Sequence, residues 1–306
     1  MKSFYWVEED IGKTGILRLW EIERYFGVKQ RLFAKAEFQN PSGSVKDRAA
    51  FAMLKSLFCS ESNIEGMVVA EPTSGNLGIS MAMLSSVMGF RAVIVMPSSY
   101  SLERRQIISA YGGEVVLVDG GMDEALRRCK EMIEFKQADF SLSQFDNPIG
   151  IDVHFRTTAP EIFYALYGAV SAVVVGVGSG ATLSGIGRYF KKVSPKTRIV
   201  ATEPFESNVL SGGVAKKHGI SGLGAGFVPK NFDITVCDRI ISVSTDRAIE
   251  VTNIIAKKEG ILVGVSSGAT LAAALEYRKE CEEGENIVVI FADRGDRYIS
   301  EGLYKQ

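Results

Sequence analysis

Along the chain, short apolar runs break off into polar, glycine-containing loops, and each loop gives way to a stretch whose apolar positions recur with helical spacing. Residues 31–38 alternate as a strand. Residues 67–70, 92–96, 115–118, the run opening at 172, 199–204 and 287–291 are short and almost wholly apolar, as strands buried on both faces are. Helices are predicted over 49–58, 79–88, 98–111 (with Glu103, Arg104 and Arg105 on its wet face), 122–135, 157–166, from the loop at 178–182 to Tyr189, 247–259 and 264–277. Strands alternating with helices over this length require mostly parallel sheet with helices on both faces, joined by right-handed crossovers. The fold class is therefore α/β and doubly wound. Residues 140–150 have loop composition without a helical stripe and are the expected crossing between domains.

Composition narrows the function. At 306 residues the chain can form two domains of ordinary size. A formal charge of −1 gives no electrostatic case for nucleic acid or an anionic membrane. No run approaches the ~18 apolar residues of a membrane span, and residues 1–10 lack the apolar stretch of a signal peptide, so a cytoplasmic protein is expected. The four cysteines share no C-x-x-C spacing and read as free thiols. With two histidines, His154 and His218, neither a His-based triad nor a multi-histidine metal site is expected; the chemistry borrows a cofactor.

In open parallel sheets, ligands bind beyond the carboxyl ends of the strands, where the polar loops lie. Lys46 ends the loop Asn40-Pro41-Ser42-Gly43-Ser44-Val45 and opens an apolar helical run. A helix N-terminus lowers the pKa of a nearby ammonium and favours the neutral amine of a carbonyl-trapping nucleophile. The same pattern also describes a helix capped by Ser42 or Ser44 with a solvated first-turn lysine. Gly178-Ser179-Gly180-Ala181-Thr182 offers backbone N–H groups and two hydroxyls to an anion at a helix start, or is simply a tight strand-to-helix turn. Thr73-Ser74-Gly75-Asn76 suits a carboxylate, or is an N-cap. Together, an imine-forming lysine, an anion cradle and a carboxylate-binding helix start meet the needs of pyridoxal phosphate acting on an amino acid.

These motifs, with Met96-Pro97, Ser101-Leu102-Glu103-Arg104-Arg105 and Gly264-Val265-Ser266-Ser267-Gly268, stand in the order found in the cysteine synthase and cystathionine β-synthase family, the fold type II pyridoxal-phosphate enzymes, and the chain resembles that family over nearly its whole length. The segment Asp293-Arg294-Gly295-Asp296-Arg297-Tyr298 is similar to the B-type synthases. The resemblance implies two doubly wound domains of tryptophan synthase β type with the cofactor in the cleft between them. Residues 1–38 and 150–306 would form the larger domain and 39–149 a smaller, mobile one, usually in a homodimer. It implies that Lys46 holds the cofactor as an imine and then shuttles the α-proton. Asn76 would bond the cofactor's ring hydroxyl, Gly178, Ser179, Gly180, Ala181 and Thr182 its phosphate, and Ser266 its pyridine nitrogen. Thr73, Ser74, Asn76 and Gln144 would receive the substrate carboxylate.

The implied reaction is β-replacement through an aminoacrylate, with cysteine made from O-acetylserine and sulfide. The same chemistry could start from cysteine, releasing hydrogen sulfide and giving serine or lanthionine, or from phosphoserine. An inactive binding module is the non-enzymatic alternative, against which the retention of Lys46 argues. Two positions depart from the family pattern. Leu77 stands where most cysteine synthases carry a threonine whose hydroxyl helps hold the carboxylate, and Ala181 replaces the second glycine of the usual phosphate loop.

Overall fold

The computed structural model describes residues 7–59, 64–73, 75–98 and 101–304. In chain order the elements are β1 (Ile16–Arg18), α1 (Trp20–Tyr25), β2 (Arg31–Ala36), α2 (Lys46–Phe58), β3 (Val68–Pro72), α3 (Asn76–Met88), β4 (Arg91–Pro97), α4 (Leu102–Ala110), β5 (Glu114–Val118), α5 (Met122–Glu134), α6 (Ile149–Val153), α7 (Ala159–Ala165), β6 (Ala172–Gly176), α8 (Ala181–Val193), β7 (Arg198–Pro204), β8 (Arg239–Val243), α9 (Thr245–Glu259), α10 (Val265–Tyr277) and β9 (Asn286–Phe291).

Two sheets result. A six-stranded sheet runs in the order β1-β2-β9-β6-β7-β8, parallel except for β1, and a three-stranded parallel sheet runs β3-β4-β5. Side-chain alternation divides each strand between two apolar layers. In the large sheet, Ala172, Val174, Ile287 and Val289 face α9 and α10, whereas Val173, Val175, Val288 and Ile290 face α7 and α8. In the small sheet, Val69, Ala92, Ile94 and Met96 pack on α2 and α3, and Ala70, Val93 and Val95 on α5. Among the described residues no helix is long and apolar enough to cross a membrane.

Several elements differ from the pattern-based reading. The helix expected at 157–166 begins at Ile149, because Asn147 Oδ1 accepts from the Ile149 amide (3.1 Å) and Pro148 supplies a helix-compatible start. It then passes through a π-turn at His154–Thr158, just ahead of Pro160, which cannot donate to the carbonyl four residues back. The edge strand β8 is only half-buried and carries no strong alternation. Residues 140–144 belong to no helix or named strand, as their composition predicts, and are tied to β3: Ala70 N donates to Phe140 O (2.9 Å), and the segment runs along the edge of that strand. Arg104 is not on a wet face. It is 1% exposed, because α4 packs under the C-terminal segment; its guanidinium lies over the Tyr298 ring at 4.6 Å and donates to Ser221 Oγ (3.2 Å). All four cysteines are free thiols.

Candidate active site

Lys46 is the first residue of α2, and its loop is sewn to the segment that follows β9. Val45 N donates to Ala292 O (2.8 Å), and Ser44 bridges Asp293. The capping serines do not behave as a simple cap. Ser44 Oγ accepts from Lys46 N at 3.3 Å, while Ser42 turns to the buried carboxylate of Asp47, which also accepts from Ser80 Oγ (2.5 Å). Burial of the ammonium in the cleft lowers the Lys46 pKa from 10.5 to about 8, and the charge of Asp293 works against that shift. Desolvation, rather than the helix end alone, makes the neutral amine accessible.

A cleft is lined by Lys46, Asn76, Gly178, Ser179, Gly180, Thr182 and Ser266, among others. The loop between β6 and α8 forms one wall. Gly180 has φ +83°, and a Cβ there would lie 2.6 Å from Phe232 N; a Cβ on Gly178 would collide with the carbonyl of Gly222. At these two positions the loop closes so tightly that no side chain fits, and its amides precede the N–H groups of the first turn of α8. Ala181 does not line this cleft; its methyl lies where a Cβ on Gly150 would come to 3.2 Å, so only its backbone can serve the cradle. Ser266 is 5% exposed in the first turn of α10.

The adjoining part of the cleft is lined by Lys46, Thr73, Asn76, Leu77, Gln144, Gly178 and Ser179. Ser74 lies outside the described residues. Gln144 is held by Glu71, a fully buried carboxylate that accepts from Gln144 N (3.1 Å), Leu142 N (2.9 Å), Ser143 N (3.1 Å) and Ser141 Oγ (2.8 Å). Burial pushes the Glu71 carboxyl upward in pKa, and these donors oppose the shift. Leu77 is 1% exposed and packs in the core of the small sheet while its position borders the cleft.

Other groups fix these walls from behind. Asn76 Nδ2 donates to Asp293 Oδ2 (2.7 Å), and Asn76 Oδ1 accepts from Arg297 Nη1 (2.7 Å). Arg48, two residues after Lys46, is 2% exposed and donates to both oxygens of Glu37 (2.8 Å each) and of Glu161 (2.8 and 2.6 Å). Lys35 joins the cluster, 2.6 Å from Glu161. His154 is buried, with Nδ1 2.8 Å from Thr158 Oγ1 and Nε2 3.2 Å from Thr182 Oγ1. Burial, with the Arg48 charge, lowers its pKa to about 3, so it is a neutral bridge to the loop at 178–182 rather than a proton carrier.

The model of the family described as pyridoxal-phosphate dependent enzymes matches residues 7–293. The chain belongs to this family. It is 43% identical over 276 residues to a cysteine synthase of Staphylococcus aureus, covering 89% of each protein. Its fold superposes on an O-ureido-L-serine synthase with a TM-score of 0.94 at 36% identity, covering 99% of this chain and 96% of that one. A hydrogen sulfide-producing enzyme from Fusobacterium nucleatum gives 0.92 at 35% identity, with 97% and 100% covered.

The residues present fit the family's cofactor. The loop at 178–182 brings backbone amides and the hydroxyls of Ser179 and Thr182 to a helix start beside the cleft, a donor set that suits a phosphate, and a lysine with an accessible neutral amine shares the same cleft. Sequence reasoning brought Lys46, Thr73, Asn76, Gln144, the 178–182 loop and Ser266 to this region. It named Asp293 and Arg297 only within the segment similar to the B-type synthases, with no role in the site, and gave none to Glu71, Arg48 or the His154 contact to Thr182. For the first two a signal existed: a cluster of charges directly after the buried strand β9, at its carboxyl end, where ligands of such sheets bind.

Proposed function

We propose that the enzyme catalyses β-replacement on a small amino acid, with O-acetylserine and sulfide giving cysteine as its leading reaction. The observation that carries this is the continuity of the cleft. Lys46 stands between a backbone anion cradle on one side and Thr73, Asn76 and Gln144 on the other. When bound, pyridoxal phosphate supplies withdrawal of electrons from the substrate's α-carbon, so that the α-proton and then the β-substituent can leave. In this reading Gly178, Ser179, Gly180, Ala181 and Thr182 hold the phosphate through backbone amides and hydroxyls, and Asn76 and Ser266 meet the ring oxygen and nitrogen. Ser266 is a neutral partner and leaves the ring nitrogen uncharged, which suits elimination at the β-carbon. Thr73, Ser74, Asn76 and Gln144 receive the carboxylate. The Lys46 amine, once free, takes the proton from the α-carbon and returns it after the nucleophile has added.

Residues 39–149 would form the smaller unit, which moves toward the larger one (1–38 and 150–306) when substrate binds and keeps water from the reacting β-carbon. A cytoplasmic homodimer is the expected form. One observation favours a second reading: Leu77 offers the carboxylate no hydroxyl, which shifts preference among donors and makes cysteine, with release of sulfide, the competitor. Titrating the holoenzyme with O-acetylserine, O-phosphoserine, serine and cysteine decides. A change in the visible band with O-acetylserine that sulfide reverses, with cysteine as product, supports the synthase. Sulfide release from cysteine with a weak response to O-acetylserine overturns it in favour of the second reading.

A further inference from the structure

Asn76 begins α3 and borders both parts of the cleft. A carboxamide has a donating and an accepting end of nearly the same shape, so packing alone does not decide which end faces a ligand. Here its neighbours differ in kind. Asp293 is fully buried; its Oδ2 accepts from Asn76 Nδ2 at 2.7 Å and from Tyr298 OH at 2.5 Å. Tyr298 is buried too, and burial beside that carboxylate pushes its pKa upward, so its hydroxyl keeps the proton it donates. Arg297 is 2% exposed; Nη1 donates to Asn76 Oδ1 at 2.7 Å and Nη2 to Ser42 O at 2.7 Å. A guanidinium can only donate. If the carboxamide turned over, an N–H would meet the guanidinium and a carbonyl oxygen the carboxylate, and two charge-assisted hydrogen bonds would become two repulsions.

We propose that Asp293 and Arg297 are positioning residues that hold the Asn76 carboxamide in one orientation, so that the second N–H of Nδ2, and not the carbonyl oxygen, is presented to the cofactor's ring oxygen. This rests on the reading that Asn76 faces that oxygen. A donor there favours the ionised ring oxygen; an acceptor would favour the protonated one. The pair therefore sets the protonation state of the bound cofactor through Asn76, without either residue touching it. Because Arg297 also grips Ser42 in the Lys46 loop, one side chain aligns the ring-oxygen donor with the lysine.

The readout is the ratio of the visible to the near-ultraviolet absorbance band of the cofactor-bound protein without substrate. It is measured in the wild-type protein and in Asp293→Asn, Arg297→Met and Tyr298→Phe, together with cofactor affinity and thermal melting. Asp293→Asn and Arg297→Met should each raise the near-ultraviolet share, whereas Tyr298→Phe, which removes a neighbour of Asp293 without touching Asn76, should leave the ratio at the wild-type value. Asp293→Asn also removes a charge that acts on Lys46, so a raised near-ultraviolet share counts for the proposal only when the Arg297 variant shows it as well, with Arg297→Gln standing in if Arg297→Met does not fold. An unchanged ratio in Asp293→Asn or in the Arg297 variant, or an equal change in Tyr298→Phe, overturns the proposal while leaving the cofactor reading intact. A wild-type protein without a visible band after incubation with pyridoxal phosphate would instead overturn the cofactor reading and the proposal with it.

Discussion

Replacing Arg48 by methionine should destabilise the fold by about 3–5 kcal/mol, the cost of leaving a buried charge without its partner. In the native cluster two cations, Lys35 and Arg48, face two anions, Glu37 and Glu161, with little access to water. Without Arg48, two carboxylates share one lysine. The Glu37 carboxyl shows the same balance: burial pushes its pKa up, yet Arg48, with Lys35 and Thr14, outweighs burial and holds it at about 2 rather than 4.5. A folded-state pKa lowered in this way contributes stability that is present above pH 4.5 and lost as pH falls from there toward 2. Calorimetry at neutral pH should show melting lowered by roughly 5–8 °C. The variant should also lack much of the wild-type loss of stability on acidification through that window. The companion Glu37→Gln change restores charge balance, since Lys35 and Glu161 remain paired at 2.6 Å, so the double variant should be more stable than Arg48→Met alone. A loss below about 1 kcal/mol, or a double variant as unstable as the sum of the two singles, would refute this account of the cluster.

Three further predictions concern the cleft. Because burial lowers the Lys46 ammonium to about 8, the rate at which apoprotein captures pyridoxal phosphate should rise with pH through that value, as the neutral amine becomes the major form; stopped-flow absorbance showing no rise until near 10.5 would contradict the assignment. Leu77→Thr should raise kcat/KM for O-acetylserine by about tenfold or more, the worth of one hydrogen bond to a charged group, and steady-state rates with O-acetylserine and cysteine side by side would show whether preference moves toward the first. Glu71→Gln leaves one oxygen to serve four donors around Gln144, so KM for the amino acid should rise several-fold with a smaller change in kcat; a fall in kcat with KM unchanged would mean that Glu71 does not act through Gln144.

What was legible in the sequence follows from which forces act locally. Strands such as β6 and β9 lie between two apolar layers, so nearly every residue must be hydrophobic and the run announces itself. The glycine loop at 178–182 is equally readable, because a backbone that approaches Gly222 and Phe232 this closely leaves no room for side chains at Gly178 and Gly180. Charged residues gave the opposite result. The amphipathic pattern of its helix predicts a wet Arg104, yet the side chain is covered by Tyr298 from far along the chain. Asp293 and Asn76 are separated by 217 positions, and Arg48 and Glu161 by 113, so no window of sequence contains both halves of either contact. A lone charge in a pattern is most simply solvated, and only the fold reveals a buried partner. The division is physical: groups that could receive the cofactor through backbone amides leave a local signature, while those that aim them do so through long-range buried pairs. Variants of Asp293, Arg297 and Arg48 should therefore alter the orientation and stability of the site while every recognisable motif remains intact.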